Sequence, residues 1–342
     1  MRFTAGAKPT LQRHGRESTS GKKLVSACDA IRQEESRVYR YRRILVGLTL
    51  AERDQTTIRY AAMVSKMAAS KTVHFIHVAS RPEIPREIRD AYPEMLPPED
   101  EVTEDRMVDL VRQHFDGNPD PRLIHDVVEG SPVTEILEVV RRNKIDLVLV
   151  GKTAGHQNSG LLPEKLARKA PCSVCVVPEG TAAKISNLLV AADFSDNSAD
   201  AMEAAIAFAR AVPLSSMTCL HAYWLPKVMH PAADCTDNRF HALLRRCAEN
   251  RYREFISDFD LEGLSVIPLL QMEKRAANAV VRAVQTRQAD LVVVGARGRT
   301  AAAAVLLGSV TERLISSTAV PLLAVKKKGT GLGFLEALLL KT

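Results

Sequence analysis

The segment from Asp290 to Leu314 reads DLVVVGARGRTAAAAVLLGSVTERL, in which Gly295, Gly298 and the pair Gly308-Ser309 follow an aliphatic run. Glycines placed there let the backbone turn sharply and approach a ligand closely, because they carry no side chain. Gly308, Ser309, Val310 and Thr311 then open a helix, where unpaired N–H groups and the positive dipole end collect. The hydroxyls of Ser309 and Thr311 add donors, so the pattern suits phosphate oxygens. Asp193 ends another apolar run and is an acceptor suited to ribose hydroxyls. The dinucleotide fingerprint needs three close glycines and the Walker loop a lysine after its last glycine; neither is present. The chemistry implied is nucleotide phosphate held by backbone and hydroxyls, without a lysine.

These residues need elements to carry them, and the chain writes those elements twice. RRILVGLT (42–49) matches SNLLVAAD (186–193), HFIHVA (74–79) matches TCLHAY (218–223), and KIDLVLVG (144–151) matches QADLVVVG (288–295), all at a shift of 144. Two copies are too few for a solenoid, so two similar domains are expected. In the second copy NLLVAA reads as a buried strand, and Ser195 or Asp196 caps a helix whose Met202, Ala205, Ile206 and Ala209 keep a helical period. Strand MTCLHAY, a helix near 240–258, strand LSVIPLL, helix 274–287, strand DLVVVG, helix 309–317 and strand VPLLAV follow. Apolar strands alternating with helices predict α/β architecture: two tandem doubly wound parallel-sheet sandwiches. Such sheets bind ligands beyond the carboxyl ends of their strands, where strand order reverses. Gly295 and Asp193 both fall there.

With Gly295-x2-Gly298-x9-Gly308-Ser309, LLVAADFSDNSADAMEAA and Leu220-His221-Ala222 in place, the sequence resembles the universal stress protein family in its tandem form. The second copy resembles the ATP-binding subgroup. The resemblance implies an adenine-nucleotide site at Ala191, Asp193, Ala222, Gly295, Gly298, Gly308, Ser309, Val310 and Thr311. Asp193 would meet ribose, the backbone around Ala222 adenine, and the Gly308–Thr311 segment the phosphates of ATP, with magnesium as its companion cation. It also implies a regulatory binding protein of the stress response, not an enzyme, acting on a protein partner yet to be identified. Dimerisation through the final strand of each copy belongs to the same expectation. A homodimer would supply it, or the two copies of one chain could offer that edge to each other. The rivals are a nucleotide-free interaction scaffold and an ATP-using ligase or nucleotidyl transferase. The enzymes call for a pyrophosphate loop or a His-x-Gly-His signature, and neither is found in the sequence.

The first copy departs from the pattern. Thr49 stands where Asp193 stands, and from Gly160 and Glu164 onward the match to Gly308 and Glu312 shifts to 148, so four residues are missing inside the loop. Leu161-Leu162-Pro163 replaces Ser309-Val310-Thr311, removing both hydroxyls and one backbone donor. One nucleotide per chain is the expectation.

Composition bounds the rest. Residues 1–43 hold 11 Lys/Arg and 4 Asp/Glu, while the remainder of the 342 residues holds 36 of each. The basic balance thus describes an N-terminal arm and not a nucleic-acid-binding domain. That arm, residues 1–40, is too poor in large apolar residues to form a core. The expected domains are 41–180 and 185–327, with a C-terminal tail, 328–342, whose Phe334, Leu335, Leu338 and Leu339 keep helical spacing. No apolar run approaches the ~20 residues of a membrane span, and six scattered cysteines suit a reducing compartment. A cytoplasmic protein is expected. Cys172 and Cys175 lie on a predicted strand, where residues three apart face opposite ways, so they read as core and not as a metal or redox pair. His230, Cys235 and His241 match no compact zinc spacing. His77 and His221, which coincide in the two copies, read as strand-end structural histidines. Arg297 and Arg299 read as solvated loop residues.

Overall fold

The computed structural model describes residues 41–79, 91, 100–116, 121–153, 161–224, 238–298 and 307–327. The basic arm, the C-terminal tail, His230, Cys235, Gly160 and Arg299 lie outside them. Residues 37–342 group as one compact unit. The first copy runs β1 (Arg43–Leu48), α1 (Asp54–Ala68), β2 (Thr72–Ala79), α2 (Asp100–His114), β3 (Arg122–Glu129), α3 (Pro132–Arg142), β4 (Leu147–Lys152), α4 (Leu161–Lys169) and β5 (Ser173–Pro178). The second runs β6 (Leu188–Ala191), α5 (Asp196–Ala211), β7 (Ser216–Tyr223), α6 (Asn238–Ile256), β8 (Ser265–Met272), α7 (Ala276–Thr286), β9 (Leu291–Gly295), α8 (Ser309–Ser317) and β10 (Leu322–Val325).

Each copy forms a parallel sheet of the same order, β3-β2-β1-β4-β5 and β8-β7-β6-β9-β10. The inner strands are apolar on both faces because helices cover both: Ile44, Val46, Leu188 and Val190 face one buried cluster, Leu45, Val148, Leu189 and Val292 the other. The helices follow from familiar local rules. Pro132 begins α3, and Arg141 and Arg142 occupy its last turn, where cations meet the negative dipole end. Ser195 caps α5, accepting from the Ser198 N–H, and Met202, Ala205, Ile206 and Ala209 are all buried as their period requires. The repeat extends to side-chain roles. His77 Nδ1 meets Leu48 O at 3.1 Å, and His221 Nδ1 meets Ala192 O at 2.8 Å. Leu50 and Phe194, at matching positions just beyond those carbonyls, both adopt positive φ, 56° and 61°.

The two sheets do not stay separate. β5 and β10 pair antiparallel, with Leu322 opposite Val176 and Ala324 opposite Val174, so one ten-stranded sheet runs through both copies. The edge expected to mediate dimerisation is therefore used within the chain. Cys175 and Cys172 sit at this seam in the two opposite core clusters, and burial pushes both thiols up to about 12.

Two lysines stitch the seam. Lys152 Nζ donates to Ser316 O and Thr318 O at 2.7 and 3.1 Å, closing the end of α8 from the first copy. Lys326 Nζ donates to Arg168 O and Ala170 O at 3.3 and 2.6 Å, closing the end of α4 from the second. Arg168 also joins Glu164 and Glu312 at 3.1 and 3.2 Å. Burial lowers the Lys326 pKa to about 8. An unfolded lysine holds its proton to about 10.4, so folding releases a proton between those values. The cost of burying this ammonium is full below pH 8 and is relieved as pH rises towards the unfolded value. Melting of the parent and of Lys326→Met at about pH 7.5 and about pH 10 should show the difference between them moving in the parent's favour at the higher pH. A constant difference would mean that the ammonium is solvated.

Candidate functional site

Strand order reverses between β1 and β4 and again between β6 and β9, and a cavity opens at the carboxyl ends of each pair. The second has a volume of about 440 Å³, within the range of small-molecule sites. Ala191, Asp193, Ala222, Gly295, Gly298, Gly308, Ser309, Val310 and Thr311 all line it. Residues more than a hundred positions apart in sequence are thus brought together by β6, β7, β9 and the start of α8.

The three glycines are needed for space and not for unusual torsions, since none of them has positive φ. A Cβ on Gly295 would lie 2.7 Å from Asn197 O, one on Gly308 3.3 Å from the Gly298 N, and one on Gly298 3.1 Å from Asp193 Oδ2. Gly298 and Gly308, the two described ends of the loop, therefore lie against each other in front of α8. Gly308 is the N-cap of α8 and has no side chain to cap it, and no other described side chain does so, so the first-turn donors keep the anion-binding character of a helix N-terminus. The α5 N-terminus is different, being closed by Ser195.

Asp193 is held in a fixed orientation. Its Oδ1 accepts from the hydroxyls of Ser195 and Ser198, both at 2.6 Å, and from the Ser195 N–H at 3.2 Å. The Ser198 hydroxyl oxygen in turn accepts from the Asp193 N–H at 2.9 Å. Oδ2 is the oxygen that faces the Gly298 side. Ser198 was not singled out in the sequence, although it lies five residues beyond Asp193 and aligns with Asp54 of the first copy.

Two side chains act otherwise than the sequence suggests. Thr311 is buried and its hydroxyl donates to Gly295 O at 2.9 Å, tying α8 to the end of β9. Its proton is not directed at a ligand. Arg297 is half-buried and lines the cavity, not a solvated loop. Apolar walls come from Leu220, Val280, Val294 and Leu307.

The first cavity, about 290 Å³, keeps the scaffold, with Asp54 and Lys152 of its lining engaged in internal hydrogen bonds. Its acidic residue has moved and is not lost. Asp54 accepts from the Thr49 N–H at 2.7 Å and the Thr49 hydroxyl at 3.1 Å, so carboxylate and hydroxyl have exchanged places relative to Asp193 and Ser198. Burial raises the Asp54 pKa, against the lowering effect of Thr49. Lys152 lines this cavity while its ammonium caps α8. Leu162 and Pro163 stand where Val310 and Thr311 stand in the second.

A tandem doubly wound protein with one cavity before a glycine-capped helix and one altered counterpart is thereby defined. Residues 40–178 and 184–326 each match the universal stress protein family, and the chain belongs to that family. It is 43% identical over 56 residues to a universal stress protein of Methanocaldococcus jannaschii, a stretch covering 16% of this chain and 33% of that protein. A protein of unknown function from Pseudomonas aeruginosa shares the fold with a TM-score of 0.58 at 17% identity, over 88% of this chain and 98% of its own. A universal stress protein from Archaeoglobus fulgidus does so with a TM-score of 0.55 at 17% identity, over 84% and 96%. At that identity the likeness is one of fold.

The glycine geometry is directly testable. Gly295→Ala brings a Cβ to 2.7 Å from backbone, whereas Gly298→Ala brings one only to 3.1 Å from a side-chain oxygen. Urea unfolding should show Gly295→Ala destabilised by roughly 1–3 kcal/mol and Gly298→Ala by less. Equal effects would contradict the packing described.

Proposed function

We propose that the second copy binds an adenine nucleotide, ATP with its magnesium, and that the protein is a nucleotide-dependent regulator of the stress response and not an enzyme. The observation that carries this reading is the convergence of Ala191, Asp193, Ala222, Gly295, Gly298 and Gly308–Thr311 on one cavity in front of α8, whose N-cap is a glycine. Phosphate oxygens would take the first-turn N–H groups of α8 and the Ser309 hydroxyl. Asp193 Oδ2 would accept from ribose, and Leu220, Val280 and Val294 would flank the base beside the Ala222 backbone. Arg297 adds positive charge on the phosphate side. The hydroxyls of Ser198 and Thr311 are spent on Asp193 and Gly295, which favours holding a ligand over transforming it. Magnesium would be coordinated through phosphate and water oxygens. A cytoplasmic setting suits the free buried thiols of Cys172, Cys175 and Cys219. The protein that responds to the nucleotide state belongs to the same proposal.

Isothermal titration with ATP tests the site. One equivalent per chain is expected, because the first copy has Leu161-Leu162-Pro163 at its helix start and its Asp54 and Lys152 engaged internally. Asp193→Ala combined with Ser309→Ala removes two hydrogen bonds to charged groups, each worth about 1.5–3 kcal/mol. A loss on the order of a hundredfold or more in affinity follows. Two equivalent sites, or one that survives both substitutions, would place the nucleotide elsewhere.

Gly308→Asp gives a second test. Aspartate is a favourable N-cap, so the fold should persist while its carboxylate occupies the phosphate position and repels it. ATP binding should vanish in a variant that still melts cooperatively, with only a modest drop in melting temperature from the approach of its Cβ to the Gly298 N. Normal affinity in this variant would sink the assignment of phosphates to α8.

A further inference from the structure

Helices α2 and α6 are counterparts in the two copies, each preceding the third strand of its sheet. They pack on β3 and β8, the two edges of the ten-stranded sheet, and both belong to the same face of it. Two copies of one ancestral repeat would begin with like charge. These two now have opposite charge. The α2 sequence, DEVTEDRMVDLVRQH, holds five acidic residues and two arginines, whereas α6, NRFHALLRRCAENRYREFI, holds five arginines and two glutamates. Glu104, Asp105 and Asp109 are exposed on α2, and Arg245, Arg246, Arg251 and Arg253 on α6. The local pairs Asp109–Arg112 and Arg245–Glu249 are exposed, and such pairs contribute little. They leave the opposite excess on each helix in place. Beside its arginines α6 also presents Leu243, 56% exposed.

The sheet geometry makes these two helices able to meet. Strands within a copy are parallel and β5 pairs antiparallel with β10, so β3 and β8 point in opposite directions. A second copy that continues the sheet past β3, turned to follow its twist, sets its β8 beside the first chain's β3 in antiparallel order. Because α2 and α6 share a face, the same movement sets α6 beside α2. Leu123 on β3 and Ile267 and Met272 on β8 are large apolar residues exposed at these edges. Pro268 within β8 lacks an N–H and interrupts any ladder there, which leaves the helices as the main contact.

We propose that this protein associates head to tail with further copies of itself, the basic α6 of one chain docking on the acidic α2 of the next. The contact is heterologous: each chain keeps one free α2 and one free α6, so assembly grows into chains or closes into rings. Complementary charge supplies specificity and salt dependence, and like-charged ends exclude α2–α2 and α6–α6 pairing.

Sedimentation velocity of the full chain over a concentration series tests the proposal. Concentration-dependent growth is expected at about 0.1 M salt and should be lost at about 1 M, where the screening length falls from about 10 Å to about 3 Å. Glu104→Arg with Asp105→Arg and Asp109→Arg makes both ends basic, and Arg245→Glu with Arg246→Glu and Arg253→Glu makes both acidic. Each triple variant should stay monomeric alone, and an equimolar mixture of the two should form mixed assemblies. A chain carrying all six changes has its charges exchanged and should self-associate again. Circular dichroism melting confirms that each variant is folded, as expected for exposed positions. A parent that remains monomeric in low salt would overturn the proposal, as would triple variants that still assemble or a folded six-fold variant that does not. A chain lacking residues 1–36 should assemble as the parent does. If it does not, the basic arm and not α6 is the occupant of α2, and the proposal fails.

Discussion

The antiparallel pairing of β5 with β10 is the contact on which the rest of the molecule depends. Each copy alone would be an open sheet ending in a fully buried, apolar strand, SVCVVP in one case and LLAV in the other. Such an edge in water is a template for unwanted pairing, and joining the two edges removes both at once. The same contact brings the last helices together, so that Lys152 and Lys326 satisfy the terminal carbonyls of α8 and α4 across the seam. It also sets the two outer edges of the sheet at maximum separation with opposite strand direction.

This arrangement accounts for a first copy that keeps its scaffold while its cavity changes. Its strand β5 and helix α4 are half of the seam, and its Lys152 supports α8, the helix that fronts the second cavity. Loss of β5 or α4 would expose the β10 edge and leave Lys326 buried without its carbonyls. Loss of the loop hydroxyls costs the fold nothing comparable. The loop following β1 shows how little the scaffold minds which chemistry fills it. One copy closes the turn with Thr49 and Asp54, the other with Asp193 and Ser198, and both keep the same backbone, including positive φ at Leu50 and Phe194. A backbone N–H must be satisfied at that turn, and either a carboxylate or a hydroxyl can do it. Only one of the two arrangements presents its carboxylate to the glycine loop.

Much was legible from the sequence alone. A single shift of 144 residues disclosed the duplication, and apolar strand runs alternating with helical periods disclosed the doubly wound class, because those patterns reflect burial, which is local to each element. The candidate residues were legible for a similar reason: glycines at the ends of predicted strands and a Gly-Ser pair opening a helix have local backbone consequences. Tertiary structure decided the matters that depend on which elements meet. Nothing near Thr311 in the chain indicates that its hydroxyl is taken by Gly295 O, sixteen residues away across a loop. Nothing near Asp54 shows that its carboxylate replaces that of Asp193, since the exchange appears only when the two turns are superposed. The fusion of two sheets into one, and the reach of Lys152 and Lys326 across it, arise from an edge-to-edge contact between strands about 150 residues apart. Burial periodicity specifies that a strand is covered, but the identity of its neighbour is set by shape and hydrogen bonding in three dimensions.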